Sequence, residues 1–122
     1  MLRQGIIAKY QRLLPPVDKE HIISLDEGST PLIRARHLSR ITGMDVYLKY
    51  EGVNPTGSFK DRGMAFALSR AVASGYTAVM CASTGNTSAS AAAYAARAGI
   101  RCIVVIPEDA TAQGKLGQAI SH

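Results

Sequence analysis

Lys60 is the residue best placed for covalent chemistry. It lies in Glu51-Gly52-Val53-Asn54-Pro55-Thr56-Gly57-Ser58-Phe59-Lys60-Asp61-Arg62-Gly63-Met64, a loop leading from a strand-like stretch into a helix. Ser58, followed three residues later by Asp61, reads as a Ser-x-x-Asp capping box, which puts Lys60 in the first helical turn. A cation there faces the positive end of the helix macrodipole, against the local preference. Residues that break a local rule concentrate at functional sites. The same positive potential, helped by burial, lowers a lysine pKa toward the neutral amine that a nucleophile or base requires. The competing reading is a lysine that snorkels into solvent beside Asp61. A phosphate-binding P-loop fails in detail. Gly52-x-x-x-x-Gly57 has the glycine spacing, but Ser58-Phe59-Lys60 stands where Gly-Lys-Ser/Thr must follow in succession. No Gly-x-Gly-x-x-Gly follows a strand, which weakens a dinucleotide site.

Ser83-Thr84-Gly85-Asn86-Thr87 is the second polar cluster, set between an apolar strand and an alanine-rich helix. Helix N-H groups at such a junction favour an anion. Ser83, Thr84 and Thr87 supply hydroxyls, Gly85 permits close backbone approach, and Asn86 can donate or accept. Taken alone, the cluster reads as a helix cap with no ligand. It follows the lysine loop by one β-α unit, so the two loops are expected side by side above neighbouring strands. Cys81 and Cys102 sit in apolar strand-like stretches without Cys-x-x-Cys spacing and read as buried free thiols. His21, His37 and His122 are far apart, with no carboxylate or Cys at ligand spacing, so no metal site is expected.

The elements that must position these loops follow from periodicity and breakers. Ile6, Ile7, Tyr10, Leu13 and Leu14 recur at helical spacing until Pro15-Pro16, which predicts an N-terminal helical arm over residues 1–26. A short strand at Leu32-Ile33 and a helical segment over 37–42, closed by Gly43, follow. Beyond them the pattern predicts strand 46–50, helix 59–74, strand 77–82, helix 87–98, strand 101–106 and a weaker helix 112–120. This is an α/β order, β-α-β-α-β-α, in which nearly apolar strands imply a parallel sheet buried on both faces. Ala89, Ala91, Ala92 and Ala93 would let their helix approach that sheet closely.

Composition bounds the partners. With 122 residues, 47% hydrophobic and 19% charged, the chain fits one α/β domain with its own core. The net charge of +5 is scattered; its densest group is Arg34, Arg36 and Arg40. With five Tyr, two Phe and no Trp, the interleaved basic and aromatic stripe of a nucleic-acid binder is absent. A bias toward small anionic ligands fits better. Arg3, Lys9 and Arg12 interrupt the first apolar residues, and no run has the length of a membrane span, so a cytoplasmic protein with no membrane partner is expected.

Asn54-Pro55-Thr56-Gly57-Ser58-Phe59-Lys60-Asp61-Arg62-Gly63 closely resembles the pyridoxal-phosphate attachment segment of threonine synthases. These stand within the wider group of tryptophan synthase β chains, cysteine synthases and serine/threonine dehydratases. Glu27-Gly28-Ser29-Thr30-Pro31-Leu32 resembles the Gly-x-Thr-Pro-Leu lead-in to that fold, so the resemblance runs from about Glu27 to about Gln118. It implies an open parallel three-layer α/β sheet, the N-terminal part of a tryptophan synthase β-like, fold type II enzyme. It also implies pyridoxal 5'-phosphate as cofactor, held as a Schiff base by Lys60 and by no other lysine, with Asn86 beside the cofactor ring. Ser83, Thr84 and Thr87 would then grip the substrate carboxylate. The implied reaction turns O-phospho-L-homoserine and water into L-threonine and phosphate, a carbon-oxygen lyase step of threonine biosynthesis, in a full-length homodimer.

Two further parts that the resemblance implies, a Gly-rich loop for the cofactor phosphate and a hydroxyl near the pyridine nitrogen, have no candidate before His122. Residues 27–122 are therefore expected to be a partial domain, and the chain alone an incomplete catalytic unit of weak cofactor affinity and little turnover. Alternatives are a non-catalytic α/β fragment or association domain, and a related dehydratase or sulfhydrylase. Lys49 and Arg62 could neutralise a phosphate or could equally be structural.

Overall fold

Helix α1, Ile6–Tyr10, is shorter than its apolar spacing suggests, and Leu13 beyond it is 81% exposed. The computed structural model describes residues 5–108 and 113–121. Ile6 and Ile7 of α1 enter the main core beside Ala65, Leu68 and Tyr94, so the first segment packs on the body. Its return strand of chain is tied down by Ser69, whose hydroxyl accepts from Ile23 N-H at 2.8 Å and donates to Ala65 O at 2.7 Å.

Strand β1 (Leu32–Arg34), helix α2 (Arg36–Thr42) and strand β2 (Tyr47–Lys49) form a small antiparallel unit. Gly43 ends α2 in the left-handed region, φ 69°, the role a glycine after a helix is suited to. The strand expected over 46–50 is thus β2, but it pairs with β1, Ile33 opposite Leu48, rather than joining the parallel sheet. Three-residue strands joined by one short helix can pair locally because closing a short loop costs little entropy.

The α/β layer is built from helix α3 (Lys60–Ala73), strand β3 (Ala78–Ala82), helix α4 (Asn86–Ala98), strand β4 (Arg101–Val105) and helix α5 (Gln113–Ile120). β3 and β4 are parallel, with Met80 opposite Ile103, as a crossover through a helix requires. α4 covers one face of them. Its Ala89, Ala91, Ala92, Ala93 and Ala95 are all buried, for α4 packs against α3 and α5 as well as against the two strands. The other face exposes Met80, Ile103 and Val105, so among the described residues these strands are buried on one face, not two. Cys81 and Cys102 are free and half-buried, and burial pushes both thiols above their ordinary pKa.

A buried carboxylate joins the first segment to α4. Glu27, with no exposed surface, accepts from Ile6 N-H at 2.9 Å, Leu25 N-H at 3.1 Å, Ser24 Oγ at 3.0 Å and Tyr94 Oη at 2.9 Å. Burial first, and then the Glu27 charge, push the Tyr94 phenol far above its ordinary pKa, so it stays a donor.

Candidate active site

The lysine loop is organised by Glu51. Its carboxylate takes Arg62 in a bidentate pair, Nε to Oε2 at 2.7 Å and Nη2 to Oε1 at 2.9 Å. Thr30 Oγ1 donates to Oε1 at 2.6 Å and Asn54 Nδ2 to Oε2 at 2.8 Å. Asn54 Oδ1 in turn accepts from Gly28 N-H at 2.9 Å. Gly28 has φ 88°, and a Cβ there would come within 2.9 Å of Ile6, so only glycine fits where the lead-in segment crosses the loop. Arg62 is therefore a structural cation. Lys49 is committed too, since its Nζ donates to Thr30 O.

The Arg62 guanidinium, with Thr30 and Asn54, holds the Glu51 carboxyl down at about 2, against an ordinary 4.5. A depressed folded-state pKa contributes stability that is present above about 4.5 and is lost as the pH falls through about 2. Glu51→Gln is expected to flatten the acid side of a melting-temperature profile over that window. A variant as acid-sensitive as the parent there would contradict the pairing.

Asp61 does not close a capping box with Ser58. The helix begins at Lys60, whose N-H donates to Ser58 Oγ at 3.3 Å, while the Asp61 carboxylate reaches farther back. Thr56 N-H meets Oδ2 at 2.7 Å and Thr56 Oγ1 meets Oδ1 at 2.5 Å. Ser90 Oγ, from α4, also donates to Oδ1, at 2.6 Å. Lys60 itself is half-buried, with Nζ 4.8 Å from the centroid of the Phe59 ring. Among the described residues its amine has no hydrogen bond and no ion pair.

The second loop sits at the carboxyl ends of β3 and β4. Ser83 and Thr84 line an open cleft of about 580 Å³ with Ala82, Val105, Ile106 and Pro107. Ser83 Oγ accepts from Gly85 N-H at 3.1 Å, which leaves its own proton available, and Ser88 Oγ donates to Gly85 O at 2.7 Å. Asn86, exposed, opens α4 one residue earlier than the sequence pattern indicates; Thr87 follows, half-buried. Among the described residues no hydrogen bond engages the side chains of Thr84, Asn86 or Thr87.

The Asp61–Ser90 bond joins the first turn of α3 to the second turn of α4. Asn86 precedes Ser90 by one helical turn, roughly 6 Å along the axis, and Lys60 immediately precedes Asp61. The two helices therefore start at the same end of the layer, although β2 and β3 are not neighbouring strands. Thr56, Asp61 and Ser90, which make this junction, have no chemical role in the sequence pattern. Their visible signals were an acid in a first helical turn and a serine on a face of alanines. A separate open depression of about 590 Å³ lies by Arg34, Arg36, Arg40 and Asp45, sharing no residue with these loops.

Residues 23–121 match the model of the family described as "Pyridoxal-phosphate dependent enzyme". The chain is 60% identical over 118 residues to the threonine synthase of Mycobacterium tuberculosis, covering 97% of this chain and 33% of that protein. It is 54% identical over 119 residues to that of Halalkalibacterium halodurans, covering 98% and 34%. For the threonine synthase of Methanocaldococcus jannaschii the values are 54% over 115 residues, 93% and 28%. The chain thus spans about a third of the length of the curated relatives it matches. Among solved structures it resembles the processed form of threonine deaminase isoform 2 from Solanum lycopersicum. The TM-score is 0.63 at 26% identity, over 78% of this chain and 26% of that one. A pyridoxal 5'-phosphate-dependent aspartate racemase gives TM-score 0.70 at 26% identity, over 88% and 37%.

Proposed function

Since this chain belongs to the pyridoxal-phosphate dependent enzyme family, a family of fold type II α/β enzymes, we propose that it is the lysine-bearing part of a threonine synthase, with Lys60 holding the cofactor. The reaction assigned to the full-length architecture is conversion of O-phospho-L-homoserine and water to L-threonine and phosphate. The identity to threonine synthases over nearly the whole chain carries this reading. The residues present fit the group. An amine with no anionic partner among the described residues stands at the start of α3, and a set of hydroxyls with an amide stands at the start of α4.

When bound, pyridoxal phosphate supplies the electron sink for charge developed beside the substrate nitrogen. Lys60 Nζ would hold it and would move protons at the substrate α and β carbons. Asn86 would stand beside the cofactor ring. The hydroxyls of Ser83, Thr84 and Thr87, with the N-H groups opening α4, take the substrate carboxylate. Arg62 and Lys49 hold the loop that presents Lys60 and leave phosphate binding to other groups. No helix among the described residues is long and apolar enough to cross a membrane. A cytoplasmic homodimer is what the resemblance to threonine synthases implies for the full-length enzyme.

The assignment is tested by joining these residues to the remaining two thirds of the Mycobacterium tuberculosis relative and supplying O-phospho-L-homoserine. Threonine and phosphate in equal amounts are expected. Phosphate released without threonine, or a 2-oxo acid with ammonia, would exclude the synthase in favour of a dehydratase-like reaction.

A further inference from the structure

We infer that Asp61 is a positioning residue, whose buried carboxylate, gripping Thr56 on one side and Ser90 on the other, sets where the Lys60 amine stands relative to the Asn86 loop. This rests on Lys60 being the attachment residue.

Asp61 has no exposed surface, yet among the described residues it pairs with no cation; the nearby Arg62 belongs to Glu51. Its charge is met by three donors at 2.5–2.7 Å, the short range of charge-assisted hydrogen bonds. Two of them come from the loop before Lys60 and the third from α4, so one side chain ties together three pieces of chain: the loop, the start of α3 and the first turns of α4. A buried charge is a weak way to add stability and a strong way to fix register, because a displaced partner leaves it unsatisfied. Successive helical side chains diverge by about 100°. With Asp61 locked inward, the adjacent Lys60 is turned away from the α4 contact, in keeping with its half-exposure. Thr56, 3% exposed, is the loop's side of the same lock, and Gly57 behind it, at φ 78°, turns the chain so that the Thr56 N-H faces the helix. A misplacement of an ångström at a reacting amine costs far more in reaction than in folding.

The test uses the whole chain with pyridoxal 5'-phosphate as the probe, supplied in limiting amount and trapped with borohydride. Peptide mass spectrometry reads the share of adduct at Lys60 against Lys9, Lys19, Lys49 and Lys115. Melting temperatures are followed by circular dichroism, and labelling is done well below all of them. In Asp61→Asn, an amide N-H faces the Thr56 donors, and the Lys60 share is expected to fall about tenfold. Thr56→Val, which keeps the shape and loses the hydroxyl, should lower the share in the same direction. Thr56→Ser, which restores the hydroxyl, should return it to the parent level, a rescue that a purely structural role does not produce. If Asp61→Asn fails to fold, the Thr56 pair decides. A folded Asp61→Asn or Thr56→Val with the parent share overturns the inference while leaving Lys60 as the attachment residue. Even labelling of the parent chain overturns both.

Discussion

Lys60→Ala is expected to abolish the borohydride-trapped pyridoxal phosphate adduct in this segment and, in an enzyme of the relatives' full length, to lower turnover by about 10³-fold or more. The effect is large because one amine is assigned both tasks, holding the cofactor and moving protons. The same substitution should leave the melting temperature almost unchanged. The Lys60 side chain is half-buried, and among the described residues its amine meets the Phe59 ring, a surface interaction of small worth. Turnover assays and thermal melts on the same protein separate the two effects. A variant that retains turnover within tenfold of the parent would contradict the assignment.

Glu27→Ala is expected to have the opposite profile, a large loss of stability of about 3–5 kcal/mol without direct contact with the proposed chemistry. Removing the carboxylate leaves Ile6 N-H, Leu25 N-H, Ser24 Oγ and Tyr94 Oη without their acceptor in a site that water does not reach. It also opens a void beside α4. A domain of this size has about 5–15 kcal/mol of stability in all, so the urea midpoint should fall steeply. The first segment, residues 5–10, should lose amide protection before α3 and α4, because its hold on the core runs through this carboxylate together with Ile6 and Ile7. A shift below about 1 kcal/mol would show that the four donors find other partners.

The helices and strands of the layer were legible because apolar periodicity and glycine stops coincide. Gly43 and Gly99 both end helices at φ 69°, where the sequence placed the breaks. Pairing was less legible. Residues 46–50 look like a strand, and a strand pattern carries no statement of its partner, so the antiparallel match of β2 to β1 emerges only in three dimensions. The spacing of Ser58 and Asp61 suggested a local cap, but Gly57 turns the loop so that Thr56 becomes the better donor, and Ser90, 29 residues on, completes the set. Likewise Glu27 lay in a recognised stretch without an assigned role. Its partner Tyr94 is 67 residues away, beyond the reach of any local rule. Lys60 stood out because a cation in a first helical turn breaks a local preference, while Asp61 and Ser90 obey theirs and become visible only through burial.

The function turns on whether the amine at the start of α3 is the one that takes the cofactor. The direct measurement is to incubate the intact chain with pyridoxal 5'-phosphate, reduce with borohydride and map the modified lysine by mass spectrometry. Label concentrated at Lys60, and lost in Lys60→Ala without moving to Lys9, Lys19, Lys49 or Lys115, is the predicted result. Label spread evenly over the lysines, unchanged in total when Lys60 is replaced, would contradict it.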